Sequence, residues 1–352
     1  MTKDTGILMF ICGYGANSQS NVFRKMRDRF ADSLNMITVQ CDYFGLEYMW
    51  TPKSGLQILQ NLVMGQEELS CYSEDEAKAI FFDRIKNNTY KWTVRQKESL
   101  GSLNDMGPVQ AMDILNALYS LDSFLSVNGI DYDRHKIVVF GNSHGAYLAE
   151  LCNSYMPGVI SAIIDLGGYV FPGYLSPQGF RTIRTIVDGY NAVLDIRYDD
   201  LIKHIVMDRE IYDLKALYAD ECGKAKIIAF HGEDDFLTPP DEKKEYIGRS
   251  DNWIFNLITG DDVDGEIITS SAHNLGADFI KLIQHTFDNY TLRSDEEKMR
   301  FGSTVFETDT AIYDIAIRNG RPDMICHITG QYDYDKIKDI AKSRPESEFI
   351  CL

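Results

Sequence analysis

The feature that most constrains this chain is Gly141-Asn142-Ser143-His144-Gly145, set directly after the apolar run Lys136–Phe140 (KIVVF). A serine at this spacing between glycines fits a sharp strand-to-helix turn. Its backbone is strained, and its neighbours must lack side chains so that chain and substrate can approach. The turn lifts the hydroxyl to the C-terminal edge of a sheet and aims a helix N-terminus at a developing negative charge. Such a turn demands a strand before it, a helix after it and a sheet around it.

The rest of the chain supplies them. Short apolar runs alternate with amphipathic segments, which predicts an α/β fold: a mostly parallel twisted sheet with helices on both faces. Gly6–Cys12, Met36–Phe44, Lys136–Phe140, Val159–Leu166, Lys226–Phe230 and Asn252–Ile258 read as strands. The first, GILMFIC, is apolar throughout, as a strand buried on both faces should be. Ser20–Leu34, Pro108–Val127, Ala146–Tyr155 and Asn274–Tyr290 read as helices. Leu46–Asn104 is too long for a plain loop and should carry structure of its own, with a helix near Glu74–Lys86. Gly167–Gly223 breaks the rhythm and reads as an insertion over one end of the sheet. Thr304–Ile317 alternates like a half-buried strand or hairpin. The expected organisation is a core of residues 1–166 and 224–290, a cap of residues 167–223, and a C-terminal extension of residues 291–352.

A serine hydroxyl is a poor nucleophile until a base takes its proton. In this fold class the acid and the histidine follow the serine in that order. Asp235 lies just past the KIIAF strand in His231-Gly232-Glu233-Asp234-Asp235-Phe236-Leu237-Thr238-Pro239, with Asp234 and Glu233 as competitors. His273, in Ser270-Ser271-Ala272-His273-Asn274-Leu275-Gly276, is the histidine that combines the right order with a strand–loop–helix setting. The backbone N–H of His144 is expected to serve an oxyanion hole while its side chain packs nearby. The second donor should come from Cys12-Gly13-Tyr14-Gly15-Ala16, and Tyr14 N–H is the candidate. His231 is read as closing a strand end, and His285 as a mid-helix packing or surface residue.

Other chemistries fit less well. Gly13-x-Gly15 followed by Asp42 imitates a dinucleotide fingerprint, but the third glycine is missing and Ser143, Asp235 and His273 are left unexplained. There is no HExxH and no CxxC, so neither a metal nor another cofactor is expected. Thirty-five basic against 53 acidic residues give a net charge of −18, which argues against nucleic acid as a partner. Seven cysteines at 12, 41, 71, 152, 222, 326 and 351 read as reduced thiols of a cytoplasmic protein. No run approaches 18 apolar residues and Ile7–Cys12 is too short for a signal segment, so no membrane partner is expected.

On these residues the chain resembles the α/β-hydrolase superfamily over roughly residues 6–290. The stretch Gly141–Ala149 is similar to the elbows of prolyl-oligopeptidase-like members. More narrowly, Ile11–Asn17 together with Met106-Gly107-Pro108-Val109-Gln110-Ala111-Met112-Asp113 resembles a bacterial family of unknown function, DUF2920. That family's association with surface-glycan or flagellar modification loci implies an acyl group on a sugar as substrate. The chain departs from the superfamily in two places. It enters the sheet by residue 6, without the usual antiparallel pair of strands, and Ala146 stands where related elbows often carry glycine. An edge left short of strands would be covered by the tail or by a partner subunit, which would make the protein a homo-oligomer.

The leading expectation is therefore a serine hydrolase acting on a small-molecule or glycan acyl ester. An acyltransferase or peptidase would use the same triad. A non-catalytic binding or scaffold protein would keep the fold with His273 out of reach of Ser143. In the cap, Phe171, Tyr174, Phe180, Tyr190, Tyr198 and Tyr212 would either line an acyl or sugar pocket or pack a helical cap. Arg181, Arg184 and Arg197 would either meet an anionic substrate or be surface charge.

Overall fold

The computed structural model describes residues 2–49, 55–176, 179, 181–187, 189–206, 208–218, 225–344 and 348–351. The strands are β1 (Gly6–Ile11), β2 (Met36–Gln40), β3 (Tyr90–Lys97), β4 (Ile137–Asn142), β5 (Ala162–Leu166), β6 (Arg181–Ile186), β7 (Ala192–Asp199), β8 (Lys226–Gly232), β9 (Ile254–Ile258), β10 (Thr304–Glu307), β11 (Ala311–Arg318), β12 (Arg321–Ile328) and β13 (Glu348–Cys351). The longer helices are α1 (Asn21–Ser33), α2 (Gly55–Met64), α3 (Glu74–Ile85), α4 (Pro108–Val127), α5 (His144–Tyr155), α6 (Pro240–Ile247), α7 (Phe279–Asn289) and α8 (Tyr334–Lys342). The chain divides into two compact units, one of residues 1–46, 105–172 and 207–332, the other of residues 47–104, 173–206 and 333–352.

The first unit is built on six parallel strands in the order β2-β1-β4-β5-β8-β9. β1, β4 and β5 are buried along their whole length, as their largely apolar runs require. Side chains alternate between the two faces. Leu8, Phe10, Val138, Phe140, Ile164 and Ile228 meet Phe23, Met26 and Phe30 of α1 and Leu282 and Ile283 of α7. The strand order reverses between β1 and β4, so the loops that leave these two neighbours diverge and open a crevice at the C-terminal edge. The serine turn follows β4, the acid turn follows β8, and the His273 loop follows β9. This is the α/β-hydrolase fold. Among the described strands none pairs with the outer side of β2.

Residues 304–328 form a separate antiparallel sheet, β10-β11-β12, and do not extend the edge at β2. Asn319 and Gly320 both take positive φ, 50° and 73°, in the two-residue turn that joins β11 to β12. An Asn-Gly turn of this type matches the twist of a hairpin. Instead of covering β2, β12 runs along α4, where Asn116 Nδ2 donates to the Pro322 carbonyl at 3.3 Å.

The second unit carries a four-stranded sheet, β13-β3-β7-β6, with β3 and β7 parallel and the outer pairs antiparallel. Its core joins Leu59, Phe81, Ile85, Val94, Leu194 and Ile196. Part of this unit comes from the insertion read over residues 167–223. Its residues 181–199 form a β-hairpin, because RTIRTI and AVLDIRYD alternate at the strand period and Gly189, at φ 77°, permits the turn between them. That hairpin completes a sheet with β3 and β13, so the unit draws on three distant segments.

Two arginines of that region are held by carboxylates of their own unit: Arg181 by Asp200 at 2.6 Å and Arg184 by Asp195 at 2.6 and 2.8 Å. Arg197 is exposed. Tyr198 is core and lies under the Arg181 guanidinium at 3.8 Å. Tyr190 packs against the same core, and Tyr174 falls in this unit, whereas Phe171 and Tyr212 fall in the first. Phe180 and Cys222 lie outside the described residues. Cys12, Cys41, Cys71, Cys152 and Cys326 are free thiols. Among the described residues no helix is long and apolar enough to cross a membrane.

Candidate active site

Strand β4 ends at Asn142 and α5 begins at His144, which leaves one residue to make the turn. Ser143 makes it with φ 52° and ψ −120°, a region that side-chain-bearing residues rarely enter. The flanking glycines are there for space. A Cβ on Gly141 would lie 2.4 Å from the Gly145 carbonyl, and a Cβ on Gly145 would lie 2.2 Å from the Ile11 oxygen. The N-terminus of α5 thus sits hard against the end of β1. The His144 amide opens the helix and has no carbonyl partner within it.

The loop after β1 is pinned from two sides. Asn142 Oδ1 accepts the Gly13 N–H at 3.0 Å, and Tyr43 OH donates to the Cys12 carbonyl at 3.1 Å. Gly13 to Ala16 then close a turn, with Gly15 at φ 76° where a type II turn requires glycine. Tyr14, the second candidate oxyanion donor, occupies the other central position of that turn. Asp42, which a dinucleotide reading would place on a ribose, accepts the Ser18 N–H at 2.8 Å.

The expected helix over 274–290 starts later, at Phe279, capped by the Asp278 carboxylate. Ahead of it Asn274, Leu275 and Gly276 take φ of 59°, 58° and 53° in succession. This left-handed coil is tied by Leu275, whose N–H reaches Ala272 O at 2.9 Å and whose carbonyl accepts Thr269 and Ser270 N–H. It presents His273. The imidazole Nδ1 donates to Asp235 Oδ2 at 2.7 Å, and Nε2 lies 2.9 Å from Ser143 Oγ. With the proton on Nδ1, Nε2 is left to accept from the serine hydroxyl.

Asp235 is buried, with every lone-pair direction occupied. Oδ1 accepts Leu237 N–H and Thr238 N–H, both at 3.0 Å, and Oδ2 accepts the Thr238 hydroxyl at 2.7 Å beside His273. Burial pushes this carboxyl up, but the bonds from His273 and Thr238 outweigh it and hold the group below its ordinary range. The two competing acids have other work. Asp234 Oδ2 accepts Ser271 Oγ at 2.6 Å and its N–H reaches Ser271 O at 3.0 Å, stitching the acid turn to the histidine loop. Glu233 Oε1 accepts Gly260 N–H at 2.6 Å.

The His144 side chain is buried and turned into the protein. Its Nε2 donates to Gln110 Oε1 at 2.6 Å, and its Nδ1 accepts from Tyr169 OH. Gln110 in turn donates to the Phe44 carbonyl at 2.9 Å. Burial lowers the imidazole to about 3, so it stays neutral.

A second ionic cluster joins α5, α6 and β5. Lys243 Nζ of α6 reaches Glu150 Oε1 of α5 at 2.6 Å and Asp165 Oδ2 of β5 at 2.7 Å, with all three side chains no more than 1 % exposed. The Glu150 carboxyl is raised by burial and by Asp165, against Lys243.

Ser143, Asp235 and His273 are therefore brought into one hydrogen-bonded line. Sequence reasoning missed Asn142, Thr238 and Gln110 with Tyr169. Asn142 stood in an open position of the elbow, and Thr238 three residues past the acid. Gln110 lay inside the 106–113 stretch, marked by resemblance but without a role.

A family model described as a protein of unknown function, DUF2920, matches residues 82–176, which include both the 106–113 stretch and the serine turn. No curated protein matches the sequence. Solved structures similar to the chain include Est1E from Butyrivibrio proteoclasticus with ferulic acid bound, at 12% identity over 81% of this chain and 87% of that one, TM-score 0.42. A lipase/esterase from Lactobacillus plantarum is similar at 11% identity over 83% and 88%, TM-score 0.44. Thermogutta terrifontis esterase 2 phosphonylated by sarin is similar at 14% identity over 82% and 83%, TM-score 0.43.

Proposed function

We propose that this protein is a serine hydrolase that cleaves a carboxylic ester through an acyl-enzyme on Ser143. The observation that carries the reading is the unbroken line from Ser143 Oγ to His273 Nε2, 2.9 Å, and from His273 Nδ1 to Asp235 Oδ2, 2.7 Å. A binding protein that had abandoned turnover would have no need to hold a buried carboxylate and a strained serine in this register.

In the proposed reaction His273 Nε2 accepts the Ser143 proton as Oγ bonds to the acyl carbon. The carbonyl oxygen becomes an oxyanion, and the amides of His144 and Tyr14 donate to it; one such donor contributes about 3–4 kcal/mol in comparable sites. The imidazolium hands its proton to the departing alkoxide, leaving the acyl group on Ser143. Water then attacks, His273 takes its proton and hands it to Ser143 Oγ as that oxygen leaves and the carboxylic acid forms. Asp235 keeps the imidazole oriented and stabilises its charged form. A sugar hydroxyl in place of water would give acyl transfer through the same steps. An O-acylated carbohydrate is the substrate we propose for it, on the DUF2920 resemblance alone.

The test is labelling with a fluorophosphonate probe, wild type beside Ser143→Ala, followed by hydrolysis of p-nitrophenyl esters of increasing chain length. Labelling and turnover that vanish in the variant support the reading. A folded wild-type protein that neither labels nor turns over any ester would sink it.

A further inference from the structure

We propose that His231 is a positioning residue for the triad acid, holding the 235–238 turn so that the Asp235 carboxylate faces His273. The inference rests on the hydrolase reading above. His231 lies one residue from the end of β8 and is 0% exposed. Phe230 packs in the cluster with α1 and α7, so alternation turns the His231 ring to the opposite face, the side of Asp165 and Lys243. Phe255 of β9 stacks beside it at 6.1 Å.

The ring's polar contacts converge on the acid turn. Nε2 meets the Thr238 carbonyl oxygen, with the Thr238 hydroxyl at 3.2 Å and Asp235 Oδ2 at 3.6 Å. A carbonyl oxygen can only accept, so Nε2 carries the proton and donates it there. That bond fixes the main chain of Thr238. The N–H and hydroxyl of the same residue then reach Asp235 Oδ1 at 3.0 Å and Oδ2 at 2.7 Å. The chain of contacts therefore runs from His231 through Thr238 to the carboxylate and on to His273.

The charged groups facing the ring are Asp235 from the acid turn, Asp165 from β5 and Lys243 from α6. Burial holds the imidazole below its ordinary range, so it acts as a neutral donor. Nδ1 has no hydrogen-bond partner among the described residues. A buried ring nitrogen left unpaired is costly, and a leucine would fill the space without that cost. What only histidine supplies here is the donor aimed at Thr238.

The test compares His231→Gln, His231→Asn and His231→Leu. Glutamine places an amide nitrogen near the position of Nε2, and asparagine places one near Nδ1. Three quantities are read: kcat and KM for a short-chain p-nitrophenyl ester, the rate of fluorophosphonate labelling, and the low-field proton resonance of the Asp235–His273 hydrogen bond. His231→Leu and His231→Asn should lower kcat about 10- to 100-fold with KM nearly unchanged, the size of effect expected from a small misplacement of a catalytic group. The resonance should move or broaden, and His231→Gln should recover most of both. Equal activity in the Gln and Leu variants, or full activity in Leu, overturns the inference. If His231→Leu does not fold, His231→Asn beside His231→Gln decides: a kcat loss in the Asn variant that Gln recovers supports the chain of contacts, and equal kcat in the two overturns it. Failure of the hydrolase reading is separable, because it would show as an unlabelled wild type. The resonance would then decide, and its being unmoved in the Leu variant would overturn the inference.

Discussion

Two ionic clusters lie on one sheet of the first unit, and they differ in how they are sealed. In the trio of Glu150, Asp165 and Lys243 no side chain is more than 1 % exposed. In the line of Asp235 and His273 the acid is 0 % exposed at its side chain, but the histidine is 19 % exposed and ends at Ser143. Both clusters remove carboxylates from water, which is tolerable only with partners on hand. The trio holds α5, α6 and β5 together and has no opening to solvent. The second line is open at one end, so the charge it organises acts on whatever reaches Ser143. Burial makes an acid rigid and its field strong; an exit makes that field useful.

The comparison can be broken most sharply at the acid of the open line. Asp235→Asn should lower kcat for ester hydrolysis by about 10³- to 10⁴-fold, because His273 loses the carboxylate that fixes its tautomer and orientation. Its melting temperature should fall far less than in the variants of the trio. Steady-state kinetics beside calorimetry would check both halves.

At the sealed cluster the balance reverses. Lys243→Met strands Asp165 and Glu150 in the interior and should cost about 3–5 kcal/mol of stability. Replacing the three together with Met, Asn and Leu at 243, 165 and 150 should recover most of it, since a missing cluster is cheaper than a broken one. Denaturant unfolding of the single and triple variants measures the difference.

The pH dependence of stability separates His144 from Glu150. His144 sits at about 3 when folded against 6.5 in its ordinary state, so the unfolded chain binds more protons as the pH falls. Stability from its burial is present above 6.5 and is lost as the pH drops from 6.5 toward 3. Glu150 is shifted the other way, up to about 8 from 4.5, so the folded state holds the extra proton and stability declines as the pH rises through that window. In urea titrations from pH 4 to 9, His144→Gln should flatten the acid limb and Glu150→Gln the alkaline one. Unaltered limbs would count against these assignments.

The smallest effect is expected at Asp234, the neighbour of the acid. Asp234→Asn keeps an acceptor for Ser271 Oγ and touches no reacting group, so kcat should stay within about threefold of wild type. A loss as large as that of Asp235→Asn would transfer the role of triad acid to Asp234.

Much of this molecule was legible in consecutive residues. The strand–turn–helix at 137–155, the span of α4 from Pro108 to Val127, and the order of serine, acid and histidine could be read because each rests on local period and local turn chemistry. The left-handed coil at 274–276 was not legible, since Asn and Gly tolerate positive φ but Leu275 between them gives no sign of it until Thr269, Ser270 and Ala272 are present to bond it. The choice among Glu233, Asp234 and Asp235 was likewise open in the sequence. It turns on contacts with Gly260, Ser271 and His273, which are 27, 37 and 38 residues away.

The second unit lay furthest from sequence reading. Its sheet pairs residues 90–97 with 192–199 and with 348–351, and strand pairing between distant segments leaves no periodic mark on any one of them. What the sequence by itself determined was the class of fold and which residues could carry the chemistry, because backbone preference and hydrophobic period are properties of neighbouring residues. Only the tertiary structure decided which carboxylate meets the histidine, which glutamine holds His144 and which lysine lies buried. Those partners are chosen by the register of strands brought together from opposite ends of the chain.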